Sequence, residues 1–141
     1  MHPSRGIALS LGGFLTLLGL VGFLVTGVDD FAGLTGETLL GLELNPLQNV
    51  IHLGIGLIGL GTTAAPSSAR AYGVVVFVAM GALVAYGLLA VDNTDIDYLS
   101  INQAGNVLHA VLAVVGLVAA VWPSGTPSRR RPAAVPEARG W

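Results

Sequence analysis

Long apolar stretches separated by short polar segments dominate the hydrophobic pattern of this chain. Residues 7–28 carry no charge, and further apolar stretches follow at about 46–65, 71–91 and 103–122. A helix of roughly 20 residues, rising about 1.5 Å per residue, crosses a hydrocarbon core about 30 Å thick. The pattern therefore predicts four transmembrane helices. The first is too long for the apolar region of a signal peptide, usually about 7–15 residues, so we expect it to be retained.

The second and fourth stretches begin with related sequences, 57 positions apart. The matched positions are Asn45 with Asn102, Asn49 with Asn106, Val50 with Val107, His52 with His109, Gly56 with Ala113, Gly59 with Gly116, and Leu60 with Leu117. Helices 1 and 3 would leave the cytoplasm, and helices 2 and 4 would return. The predicted fold class is an all-α polytopic membrane protein whose four transmembrane helices form a duplicated helical hairpin, a parallel two-fold pseudo-repeat about the membrane normal.

A polar and small-residue stripe runs along each of these two helices, because the matched positions step by four and three. This predicted polar seam consists of Asn45, Asn49, His52, Gly56, Gly59, Asn102, Asn106, His109, Ala113 and Gly116. An imidazole facing lipid is unfavourable, so we expect both histidines to face the bundle interior. If both stripes face the bundle axis, Gly56 and Ala113 should approach each other at one depth. They would be in direct contact if helices 2 and 4 are neighbours, and about a linker length of 10 Å apart if these helices lie on a diagonal.

The composition supports a membrane protein with one domain. The chain has 141 residues, of which 53% are hydrophobic and only 10% are charged, against about 25% in an average soluble protein. Cysteine is absent, which excludes disulfides, thiolate metal sites and iron–sulfur clusters. We predict a transmembrane domain over residues 1–122 and a disordered cytoplasmic tail, rich in Arg, Pro and Ala, over residues 123–141.

The charges predict the orientation in the membrane. All six basic residues are arginines, and with four crossings they fall on one side: Arg5, Arg70, Arg129, Arg130, Arg131 and Arg139. Every acidic residue except Glu137 falls on the other side. Basic residues mark the cytoplasmic face of a membrane protein. We therefore predict a bacterial inner-membrane protein with both termini in the cytoplasm. Tyr72 and Trp122 are expected in an aromatic belt at that face, and residues 29–44 in a loop partly lying on the opposite membrane surface.

The functional hypotheses concern the two histidines. The sequence contains no nucleophile–base motif, phosphate loop or H-E-x-x-H motif, so we predict no enzymatic activity, no catalytic residue and no metal ligand. The preferred hypothesis is a structural or accessory component of the cell envelope, in which Asn and His join helices through hydrogen bonds. One alternative is a redox protein that binds one haem between His52 and His109. Another is a small transporter or proton-linked carrier, although no charged residue lies inside a predicted span to assist it.

The expected partners follow from the membrane location. The lipid bilayer is the first, and Arg129, Arg130 and Arg131 are candidates to bind anionic head groups. A homo-oligomer or a membrane protein partner is also expected. The formal net charge of −2 gives no indication of a nucleic-acid partner.

Two motifs connect the chain with a known family. The pattern T-G-x-x-L-L-G-L-x-x-N-P-L-Q-N-x-x-H-L spans residues 35–53, and N-x-x-H-A begins at Asn106. Together they resemble a family of small four-helix membrane proteins of bacteria, mainly actinobacteria, that is catalogued only as a domain of unknown function. The resemblance covers about residues 7–122. It implies the four-helix fold and topology and implies no activity.

Overall fold

Four α-helices make up most of the computed structural model, which describes residues 2–62 and 65–123. The helices are α1 (Pro3–Thr26), α2 (Pro46–Thr62), α3 (Pro66–Ala90) and α4 (Gln103–Val121), and two short antiparallel strands, β1 (Thr38–Leu39) and β2 (Leu42–Glu43), lie between α1 and α2. Three helices are long and apolar enough to cross a membrane, and α2 is a shorter apolar helix. The predicted all-α membrane fold is confirmed. Except for Pro123, the predicted tail lies outside the described residues.

Proline determines where three of the helices begin. Pro3, Pro46 and Pro66 each stand at the first helical position, where the missing N–H costs no hydrogen bond and the fixed φ suits a helix. As a result α1 begins before the predicted residue 7, and α3 begins at Pro66, before the predicted residue 71.

The connection from α1 to α2 contains a β-hairpin that the sequence pattern did not predict. Gly27, with φ of 66°, ends α1. The two strands are then joined by Leu40 and Gly41, whose φ angles of 53° and 85° are both left-handed. Two such residues in succession form the tight turn whose twist matches paired strands. Because Leu rarely adopts this conformation, Leu40-Gly41 is a weak sequence signal for a hairpin.

The helices pack as two antiparallel hairpins, α1 with α2 and α3 with α4. Helix α1 also contacts α3 and α4, and α2 contacts α3. No Cα atom of α2 lies within 8 Å of one in α4. The bundle is therefore a rhombus with α1 and α3 on its short diagonal and α2 and α4 at opposite corners. Of the two arrangements left open for Gly56 and Ala113, direct contact does not occur, because their helices lie on the long diagonal and are not neighbours.

The apolar core lies where α1 and α3 meet. Its buried members are Ala8, Leu11, Leu15, Ala69, Tyr72, Val76, Met80, Leu83, Ile101, Leu112 and Ala113. Tyr72 is only 2% exposed, so it is a core residue and does not belong to a surface aromatic belt, whereas Trp122 is 37% exposed. The Tyr72 ring lies against Gly59 of α2, where no side chain competes for the space.

Glycine permits the close contact between α1 and α2, which leads to a first prediction. A Cβ atom at Gly56 would collide with the backbone nitrogen of Thr16 and the carbonyl oxygen of Gly12. Because backbone cannot move aside as a side chain can, Gly56→Ala should destabilise the protein by about 1–3 kcal/mol. Thermal unfolding in detergent measures the loss.

The matched control lies two residues away on the same helix. Gly54 has no atom within 4 Å of its would-be Cβ, so Gly54→Ala should leave the melting temperature nearly unchanged. Equal effects of the two substitutions would show that α1 and α2 do not pack through Gly56.

Candidate functional site

The outer polar residues of the seam cap the two shorter helices. At the start of α2, the Asn45 side-chain oxygen accepts from the backbone N–H of Gln48 at 2.9 Å. At the start of α4, the Asn102 side-chain oxygen accepts from the N–H of Gly105, also at 2.9 Å. Both are N-caps, which satisfy backbone donors that the helix itself leaves unpaired.

The amide nitrogens of these caps tie the two halves of the chain together. Asn45 Nδ2 donates to the carbonyl of Tyr98, in the connection between α3 and α4, at 2.8 Å, and to that of Gly33 at 2.9 Å. Asn102 Nδ2 donates to the carbonyl of Gly41, in the connection between α1 and α2, at 2.8 Å. Each of the two asparagines therefore binds the connection between the two helices of the other hairpin. Asn45 is fully buried, and Asn102 is half-buried.

One turn further in, Asn49 and Asn106 pack against glycines of their own hairpin partners. Asn49 fills the space beside Gly22 of α1, and Asn106 fills the equivalent space beside Gly87 of α3. Asn49 Nδ2 also donates to Thr26 Oγ1 at 2.9 Å. The side-chain oxygens of both asparagines are buried and accept no hydrogen bond from any residue that the structure describes.

The two histidines meet at the centre of the bundle. His52 Nε2 and His109 Nε2 lie 3.2 Å apart, and each side chain is only 1% exposed. The ring centroids are 5.4 Å apart, close to the maximum that this nitrogen contact permits, so the rings point at each other end-on. One Nε2–H must donate to the other Nε2, which requires opposite tautomers in the two rings. Both Nδ1 atoms lack a hydrogen-bond partner among the described residues.

Haem does not fit this arrangement. Axial ligation by both histidines places the iron and the whole porphyrin ring between the two Nε2 atoms, and these atoms are in direct hydrogen-bond contact. Within the described residues, no group of three or more His, Cys, Asp or Glu side chains could hold a metal ion. The arrangement is instead suited to joining α2 and α4 across the long diagonal of the bundle.

The small residues of the seam have a separate role. Those of α2 and those of α4 do not face each other but pack on other helices. Gly56 packs on Gly12 of α1, and Gly116 packs on Gly73 of α3. Ala113 belongs to the apolar core. The seam is thus divided by depth: asparagine caps at one end, the histidine pair in the middle, and small helix-packing residues beyond it.

Several polar residues near the seam were not predicted from the sequence. Gln48 is 1% exposed and its Oε1 has no hydrogen-bond partner; its position one helical turn before His52 is a signal that could have identified it. Asp97, in the connection between α3 and α4, is 5% exposed, and both of its carboxylate oxygens accept from Ile101 N–H at 3.1 Å. No local pattern distinguishes Asp97 from the exposed Asp92 and Asp95.

Comparison with known proteins identifies a family but no function. The family described as a domain of unknown function, DUF4383, matches residues 5–122. No curated protein and no solved structure matches the chain.

The end-on histidine contact predicts non-additive mutational effects. His52→Ala and His109→Ala should each destabilise the protein by about 1–3 kcal/mol, because each leaves a buried imidazole unpaired. The double substitution should lower the free energy of unfolding little more than either single substitution does. A double-mutant cycle measured by thermal unfolding in detergent should therefore give a coupling energy of about 0.5–2 kcal/mol.

His2 provides the control of the same residue type. It lies at the start of α1, where its Nδ1 is 2.7 Å from Ser4 Oγ, away from the pair. His2→Ala should show no coupling to either substitution. Additive losses at His52 and His109 would mean that the two rings do not stabilise each other.

Proposed function

The chain belongs to the family of this domain of unknown function, and from its buried contacts we propose that it is a non-catalytic structural or accessory component of a bacterial cell envelope. In this proposal the protein has no enzymatic activity and no resident cofactor. It is a four-helix scaffold whose polar side chains stabilise its own interior and whose apolar exterior faces lipid and neighbouring membrane proteins.

The observation that carries the proposal is the direct contact between His52 and His109. A ligand-binding or catalytic histidine needs a ring nitrogen that can reach its ligand or substrate. Here each Nε2 is occupied by the other. The Nδ1 atoms, which have no hydrogen-bond partner among the described residues, are buried with their rings. Leu15 and Met80 of the apolar core are also fully buried. The pair therefore supports helix association better than chemistry.

Matching contacts in the two halves support an internal duplication. Asn45 and Asn102 both cap their helices through the N–H three residues on, and both donate to a loop of the other half. Asn49 and Asn106 both pack on a glycine of the preceding helix. Equivalent residues thus occupy equivalent places, as expected if one hairpin was copied.

The proposed location is the inner membrane, with four crossings and both termini in the cytoplasm. Helix α2 has 17 residues, about 26 Å, which is at the lower end of the range for a spanning helix. Arg5 and Arg70 lie near the starts of α1 and α3, and Arg70 Nε donates to the carbonyl of Ala120 near the end of α4, at 3.1 Å. The acidic residues of the described part lie on the connections at the opposite end, so the charge distribution agrees with this orientation.

A second candidate function, a proton-linked carrier, is favoured by one observation. Several buried polar atoms have no hydrogen-bond partner within residues 2–62 and 65–123. They include the Nδ1 atoms of both histidines, Gln48 Oε1 and Tyr72 Oη. Unpaired buried polar groups are costly, and water or a carried solute could satisfy them. Against this candidate, the four helices contain no Asp or Glu to relay a proton.

The purified protein distinguishes these functions. We expect a colourless protein with no Soret absorbance, and proteoliposomes loaded with a pH-sensitive dye should dissipate a proton gradient no faster than protein-free vesicles. A Soret band lost on His52→Ala would support the haem alternative instead. Proton flux lost on the same substitution would support the carrier. In both assays Gly54→Ala controls for changes unrelated to the histidines.

The topology has its own test. Reporter fusions at Gly36 and at Ile96, one in each connection rich in acidic residues, should both report the non-cytoplasmic side. Arg70→Ala alone should leave them unchanged, because Arg5 and the tail arginines give the same signal. A cytoplasmic result at either position would exclude the four-crossing arrangement.

A further inference from the structure

The β1–β2 hairpin carries a leucine in an unusual place. Leu40 stands at the tip, where its side chain is 96% exposed and its φ is 53°. Turns of this kind favour Asn, Asp or Gly, because these residues tolerate a left-handed backbone. In water, Leu at this position combines backbone strain with complete exposure of an apolar side chain. An exposed leucine at this position is favourable when its surroundings are apolar.

The tip lies alongside the membrane-spanning part of α1. Leu39 and Leu40 line an apolar recess of about 170 Å³ together with Phe14, Leu17, Leu18 and Val21 of α1. Val21 and Leu17 precede the end of α1 at Thr26 by about 8–14 Å along the helix axis. Phe14 and Leu17 are 45% and 60% exposed, on the surface that a bilayer would cover. The hairpin tip therefore continues the lipid-facing surface of α1.

Part of the hairpin backbone is hydrogen-bonded within the protein. Thr38 pairs with Glu43 and Leu39 with Leu42, and the carbonyl of Gly41 at the turn accepts from Asn102 Nδ2 at 2.8 Å. Lipid-exposed irregular backbone is excluded from the hydrocarbon region, so the backbone of the turn belongs at the level of the head groups, from which the Leu40 side chain can reach the acyl chains.

The charges of this segment lie at the other end of the hairpin. Glu37 precedes β1 and Glu43 ends β2, so both are at the open end, away from Leu40. Charged groups at the open end and leucine at the tip give the hairpin one polar and one apolar end. This arrangement matches the boundary between head groups and acyl chains.

We propose that the β1–β2 hairpin inserts its tip into the membrane leaflet on its side of the protein, with Leu40 in contact with lipid acyl chains. The partner is the bilayer itself, and the surface is the recess between Leu39, Leu40 and α1. Insertion anchors the connection that leads into the capped start of α2. It does not depend on whether the bundle is a scaffold or a carrier.

Tryptophan fluorescence tests the depth of the tip. Leu40→Trp is introduced into the full chain after Trp122→Phe and Trp141→Phe, and the protein is reconstituted in vesicles with and without brominated acyl chains. We expect blue-shifted emission, strong quenching by the brominated lipid and little quenching by aqueous iodide. Thr94→Trp in the same background, in the exposed connection between α3 and α4, should show the opposite pattern.

Two results would overturn the proposal. Iodide quenching of Leu40→Trp equal to that of Thr94→Trp would place the tip in water. Protection that disappears at low protein-to-lipid ratio would show that a second copy of the chain covers the tip instead of lipid.

A second variant uses the backbone strain itself. Leu40→Asn places a residue that tolerates the left-handed conformation at the turn. If the tip is in water, this substitution should raise the melting temperature in vesicles; if the tip is inserted, it should lower it, because a polar amide then replaces Leu among acyl chains. A rise would contradict the proposal even if Leu40→Trp perturbs the hairpin.

Discussion

The hydrogen bond between His52 and His109 is the interaction on which the central arrangement of the bundle depends. Helices α2 and α4 occupy opposite corners of the rhombus, and no Cα atom of one lies within 8 Å of a Cα atom of the other. The two imidazoles close that gap end-on, at 3.2 Å. Because hydrocarbon offers no hydrogen-bond partner, each ring can be satisfied at Nε2 only by the other, and the inward orientation of both helices follows.

Asparagine performs the related task at the ends of α2 and α4. One side chain supplies an oxygen to cap its own helix and a nitrogen to hold a distant loop, so Asn45 and Asn102 couple helix starts to connections. The apolar core begins further in, where α1 and α3 meet. The molecule thus has a polar layer that specifies which elements meet and an apolar layer that packs them.

The exterior of the protein is suited to lipid. Large apolar side chains are exposed along the helices, including Leu24 at 86% and Leu88 at 73%. The hairpin between α1 and α2 extends this surface through Leu40.

Part of this structure was determined by the sequence alone. The apolar stretches predict the helices, and the spacing of Asn49, His52 and Gly56 predicts one inward face, because periodicity identifies which side chains share a face and lipid excludes polar groups. Periodicity does not identify the partner of that face. Only the tertiary structure decided that Gly56 meets Gly12, that Tyr72 lies in the core, and that a hairpin forms around Leu40. Each of these depends on contacts between segments that are distant in the chain. The local pattern permits several arrangements equally, and the distance between backbones and the volume left by neighbouring side chains decide which one forms.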